Sequence, residues 1–121
     1  MAFGDAYIRR YVDHALDRLL TELPAVMLTG PRGCGKTTTA MRRATSVMRL
    51  DRPEEAGAFR AAPDAILAAQ PTPVLIDEWQ AVPECMGAVK RAVDAGAGPG
   101  RFLLTGSVRA RLDSAGWPGT G

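Results

Sequence analysis

Apolar and polar positions alternate along this chain in two different rhythms. Between residues 6 and 22, Ile8, Tyr11, Val12, Ala15, Leu16 and Leu19 recur at helical spacing, and Leu23 continues it. Arg9, Arg10, Asp13, Asp17 and Arg18 lie between them, so the segment predicts an amphipathic helix ended by Pro24. A short apolar run, Ala25 to Thr29, then predicts a buried parallel strand. Gly30 to Gly35 is rich in turn residues, and Lys36 to about Thr45 predicts a helix. Val47 to Leu50 predicts a second strand. Asp51 and Glu54 have capping-box spacing for a short helix punctuated by Gly57 and Pro63. Asp64 to Gln70 predicts one or two further helical turns before Pro71-Thr72-Pro73.

Val74-Leu75-Ile76-Asp77 reads as a third strand, apolar until its last residue. A helix is expected from Pro83 through Ala95, with Met86, Val89 and Val93 on one face and a Lys90–Asp94 pair outside. After a turn at Gly96 to Gly100, Arg101 to Thr105 forms a fourth strand. The remainder reads as irregular, with a short helix around Val108–Leu112. Strands alternating with helices predict an α/β domain built on a parallel sheet.

Three segments carry candidate chemistry. Gly30-Pro31-Arg32-Gly33-Cys34-Gly35-Lys36-Thr37 satisfies the phosphate-loop pattern in full, between a predicted strand and a predicted helix. Glycines let the backbone turn tightly and present N–H groups to phosphate oxygens. The following helix points its positive end at the same anion. Lys36 is placed to reach the β- and γ-phosphates, and the Thr37 hydroxyl to ligate Mg²⁺. The expected nucleotide-binding residues are therefore Gly30 through Thr38.

The second segment is Val74-Leu75-Ile76-Asp77-Glu78. A carboxylate ending a buried strand sits at the carboxyl edge of the sheet, where α/β folds bind ligands. Asp77 is expected to hold Mg²⁺ through water, and Glu78 to orient and polarise the attacking water. The third is Leu103-Leu104-Thr105-Gly106-Ser107, whose hydroxyls would lie near the γ-phosphate. Either Thr105 or Ser107 could sense that group, and a plain capping role is the alternative.

Composition changes this picture little. The 121 residues suit one domain, and a net charge of +2 gives no support for nucleic acid or anionic lipid as partner. Only Lys36 and Lys90 among the 15 basic residues are lysine, which makes a lysine inside a glycine-rich loop conspicuous. Cys34 and Cys85 have no metal-site or disulfide-framework spacing. Cys34 reads as a tolerated small loop residue and His14 as a polar helix position. Trp79 reads as packing, and Arg32, Arg109 and Arg111 as mostly solvated. There is no apolar signal core and no membrane-length run, so a cytoplasmic protein is the expectation. The base-reading pattern Asn-Lys-x-Asp of GTP-binding proteins is absent, which favours ATP.

The stretches LPAVMLTGPRGCGKTTTA, VLIDEWQAVPE and RFLLTGS, with the leading helix YIRRYVDHALDRLL, resemble predicted bacterial and archaeal AAA-type ATPases. In that family an N-terminal ATPase domain precedes a C-terminal domain of unknown function. The resemblance implies a three-layer P-loop NTPase fold with strand order 5-1-4-3-2. Four of those strands would be present here in order 1-4-3-2, with the N-terminal helix (1–23) packed on the ATPase core (24–121). It carries Gly30, Gly35, Lys36 and Thr37 over as nucleotide-binding residues, Asp77 as the metal-associated carboxylate, Glu78 as the water-activating one, and Ser107 or Thr105 as sensor.

The family continues with an arginine and a fifth strand where this sequence reads SAGWPGTG, so a C-terminally truncated member is expected. The Val26–Thr29 strand would then present a free edge. A missing arginine finger would leave weak turnover. The expected activity is Mg²⁺-dependent ATP hydrolysis that moves a C-terminal domain or partner, with self-association as a separate possibility. The alternatives are a nucleotide-binding module without efficient turnover, or a small-molecule phosphotransferase.

Overall fold

A computed structural model describes residues 13–30 and 36–107. Within them run helix α1 (13–22), strand β1 (Ala25–Gly30), α2 (Lys36–Met41) and β2 (Ser46–Arg49). There follow α3 (Pro53–Ala61), α4 (Pro63–Ala69), β3 (Val74–Asp77), a 3₁₀ turn (Trp79–Ala81), α5 (Cys85–Asp94) and β4 (Phe102–Ser107). The four strands form one parallel sheet in the order β1-β4-β3-β2. That is the order expected for a P-loop NTPase-like fold.

Period-two alternation along the strands sorts the core into two layers. Val26, Leu75 and Leu103 pack with Leu16 of α1 and Ala40 of α2 on one face. Met48, Val74, Ile76, Phe102 and Leu104 pack on the other face with Phe59 of α3, Leu67 of α4, and Cys85, Ala88 and Val89 of α5. All four β3 residues are buried, as are all six of β4. Burying such side chains on both faces contributes about 1.5–3 kcal/mol each, before the entropy of ordering them. Asp77, Thr105 and Ser107 share the parity of Leu75 and Leu103. The alternation therefore turns them toward α2.

Several boundaries differ from the sequence expectation, each for a local reason. Helix α2 stops at Met41 rather than near Thr45. Arg43 and Ala44 both donate backbone bonds to the Ala40 carbonyl, and Thr45 and Ser46 donate to Pro73 at the sheet edge. Three consecutive threonines, of modest helix propensity, do nothing to lengthen it. Asp51 does not cap α3. The N-cap is Arg52, Pro53 opens the helix without needing an N–H partner, and the Glu55 carboxylate accepts the Arg49 N–H at 2.9 Å. Helix α3 runs through Gly57 to Ala61. Helix α5 begins at Cys85 rather than Pro83, and its Lys90–Asp94 pair stands at 3.0 Å. Strand β4 continues two residues beyond Thr105, to Ser107. Residues 6–12 of the expected first helix and the expected helix at 108–112 lie outside the described residues.

Helix α1 is tied to the segment after α2 by charge as well as packing. Arg43 Nε and Nη2 donate to the two carboxylate oxygens of Asp17 at 2.7 and 3.0 Å. This bidentate bond holds the Asp17 carboxyl below its ordinary range and pushes the Arg43 guanidinium further up. Among the described residues, no helix is long and apolar enough to cross a membrane.

Candidate functional site

The sheet order decides where a ligand can sit. From β1 the chain turns to α2 on one face; from β3 it turns to α5 on the other. Such a reversal opens a crevice at the carboxyl ends of the strands. The described candidate residues of the three motifs collect at that edge. Gly30 is the buried last residue of β1 and pairs in register with Ser107, the last residue of β4. Lys36 and Thr37 open α2, and Asp77 ends β3 in register with Thr105. Thr38 is exposed on α2, while Pro31, Arg32, Gly33, Cys34, Gly35, Arg109 and Arg111 lie outside the described residues.

Asp77 is the centre of the arrangement. The residue is 5% exposed. Thr37 Oγ1 donates to Asp77 Oδ1 at 3.0 Å, and Thr105 Oγ1 donates to the same oxygen at 2.6 Å. Two hydroxyls, 40 residues upstream and 28 downstream, therefore converge on one carboxylate oxygen. Thr105 Oγ1 also accepts the Glu78 N–H at 3.3 Å. A buried carboxylate needs such donors, because burying an unpaired charge costs several kcal/mol or more. The set is oxygen-only and combines a hydroxyl with a carboxylate, which fits a hard cation such as Mg²⁺. Among the described residues no cluster of three or more His, Cys, Asp or Glu side chains could hold a metal alone.

Glu78 follows directly, with φ 59° and ψ 60° in the left-handed region. A non-glycine residue there costs about 1–2 kcal/mol, and such strain clusters at functional positions. The conformation redirects the chain from β3 into the 3₁₀ turn Trp79–Ala81, which sequence reading did not foresee. Trp79 is half-buried against the α5-side core, the packing role expected of it.

The two candidate sensor hydroxyls differ in what they touch. Thr105 is fully engaged, bonded to Asp77 and to the Glu78 backbone. Ser107 is fully buried, yet its Oγ has no partner among the described residues. Its backbone is held instead: Gln80 Oε1 accepts the Ser107 N–H at 3.2 Å, and Gln80 Nε2 donates to the Ser107 carbonyl at 3.0 Å. Sequence reading passed over Gln80. The available signal was Gly106, an isolated glycine in an apolar strand, which often marks a close approach.

These features define a P-loop NTPase-like α/β fold with its candidate site at the carboxyl edge of the sheet. The chain belongs to the family described as AAA domain, which matches residues 22–116. The chain is also 34% identical over 107 residues to an uncharacterized protein of Mycobacterium bovis and, to the same extent, to one of Mycobacterium tuberculosis. Each alignment covers 86% of this chain and 24% of the relative, so the chain spans about a quarter of the length of the curated relatives it matches. No solved structure matches it.

Proposed function

We propose that this chain binds Mg-ATP at the carboxyl edge of its sheet and hydrolyses the terminal phosphate. The observation that carries the proposal is the 3.0 Å bond between Thr37 Oγ1 and Asp77 Oδ1. It joins the residue after the phosphate-loop lysine to the carboxylate that ends β3, the pair this chemistry needs around one metal ion. Mg²⁺, when bound, neutralises charge on the β- and γ-phosphates. Thr37 would ligate it and Asp77 would hold it through water. The backbone of Gly30–Gly35 and Lys36 would cradle the phosphates.

Glu78 is the residue proposed to orient and polarise water for in-line attack. Its strained backbone supports that role, since it presents the side chain where a regular strand would not. Ser107 is proposed as the γ-phosphate sensor. Its buried hydroxyl has no partner among the described residues, a state that costs about 1–3 kcal/mol, and a phosphate oxygen or the attacking water would satisfy it. Thr105 is proposed to position Asp77. The relatives' greater length supports the idea that hydrolysis moves a further domain or partner.

Nucleotide titration and phosphate release test this reading on wild type, Lys36→Ala and Glu78→Gln. Lys36→Ala is expected to lose at least tenfold in ATP affinity, and Glu78→Gln to keep affinity while losing turnover. Equal ATP binding by wild type and Lys36→Ala would remove the phosphate loop from the mechanism. Unchanged turnover in Glu78→Gln would remove Glu78.

A further inference from the structure

Strand β3 ends at Asp77, in register with Thr105, but β4 runs on through Gly106 and Ser107. On its other side β4 stays paired with β1 as far as Gly30↔Ser107. Beyond Thr105, therefore, β4 has no strand to pair with on the β3 side among the described residues. The Gln80 side chain occupies that place. Its amide accepts from the Ser107 N–H at 3.2 Å and donates to the Ser107 carbonyl at 3.0 Å. A primary amide carries the same acceptor and donor as a peptide group, so it can continue a ladder where the main chain has turned away.

The left-handed Glu78 is what turns the chain, and the 3₁₀ turn at Trp79–Ala81 brings Gln80 back against β4. The fit has no slack. A Cβ on Gly106 would lie 2.6 Å from Trp79 Nε1 and 2.7 Å from Gln80 Oε1. Val82, fully buried, anchors the end of the turn, and the Cys85 thiol bonds the Trp79 carbonyl at 3.8 Å.

We propose that Gln80 is a positioning residue: by standing in for the missing β3 residue it fixes Ser107 relative to Glu78, so that recognition of the γ-phosphate and placement of the attacking water are set by one rigid unit. The proposal rests on the ATP-binding reading of the same site. Because Gln80 lies two residues after Glu78, any shift of the strand end that carries Ser107 is passed to the turn that carries Glu78.

Amide hydrogen exchange on the nucleotide-free chain, with ATP and ADP titrations, tests this in wild type, Gln80→Leu and Gln80→Glu. Gln80→Leu keeps the bulk against Gly106 but removes both hydrogen bonds. It is expected to speed exchange of the Ser107 N–H about tenfold. ATP affinity should fall about fivefold or more, with ADP affinity changed less than about twofold, because only ATP presents a γ-phosphate. Gln80→Glu keeps the acceptor but sets an oxygen against the Ser107 carbonyl in place of the donor, so exchange of the Ser107 N–H should fall between wild type and Gln80→Leu. Unchanged Ser107 exchange in Gln80→Leu would overturn the proposal. So would equal losses of ATP and ADP affinity together with a lower Tm, which a purely structural role would give. Failure of wild type to bind either nucleotide would overturn the ATP-binding reading and the positioning role with it; the exchange data, taken without nucleotide, would still report whether the Gln80 bonds hold Ser107.

Discussion

Replacing Thr105 by valine removes one hydroxyl and almost nothing else. The side chain is fully buried, and valine has nearly the same shape, so no cavity opens. Two bonds disappear. The 2.6 Å bond to Asp77 Oδ1 is charge-assisted, a class that contributes about 1.5–3 kcal/mol. The 3.3 Å bond from the Glu78 N–H is longer and only part-buried, for which about 0.5–1 kcal/mol is reasonable. Burying a methyl instead of a hydroxyl returns about 1 kcal/mol. The net expectation is a loss of about 1–3 kcal/mol, a sizeable part of the 5–15 kcal/mol typical of a domain.

Urea unfolding should therefore show a midpoint lowered by about 1 M with an unchanged slope. Thr105→Ser is the control. It keeps the hydroxyl and loses one methyl, which should cost about 1 kcal/mol from packing while the Asp77 bond survives. A Thr105→Val protein within about 0.5 kcal/mol of wild type would refute the reasoning. It would mean that the Asp77 carboxylate is held by something other than this hydroxyl.

Three further outcomes are expected. Gly106→Ala should cost about 1–3 kcal/mol, because its Cβ would meet the Trp79 ring, which cannot swing aside as a flexible chain end would; a thermal melt lowered by about 5 °C or more would register it. Burial pushes the Cys85 thiol up to about 12, so at pH 8 it holds about a thousandfold fewer thiolates than an ordinary cysteine. Peptide mass mapping after iodoacetamide should find Cys85 unmodified in the folded protein and modified in urea, and rapid native labelling would contradict its burial. Asp17→Asn should lose about 0.5 kcal/mol at neutral pH, discounted for the exposure of the pair. The Asp17 carboxyl is depressed in the folded state, so its contribution is present above the ordinary carboxylate range and fades as pH falls below it. The difference from wild type should vanish in acid and shrink in 1 M salt, and a difference that persists in both would mean that it is not electrostatic.

What local pattern could establish, it established well. The four strands and the helices between them follow from apolar runs and helical spacing, and β3 matches the expected Val74–Asp77. The phosphate-loop pattern, the acidic pair and the hydroxyl pair could be picked out as candidates, since each is a short run of consecutive residues. The strand order came from the resemblance, because period and propensity do not say which strands pair.

Tertiary structure alone decided what the site residues touch. Thr105 and Ser107 are chemically alike and two apart on one strand face, so sequence left them equal. Register places Thr105 against Asp77 and Ser107 beyond the end of β3, and that difference engages one hydroxyl and leaves the other without a partner among the described residues. The left-handed Glu78, the 3₁₀ turn and the Gln80 amide against β4 were hidden for the same reason. Each arises where one strand ends before its neighbour, and relative strand length is a property of pairs of segments rather than of either one.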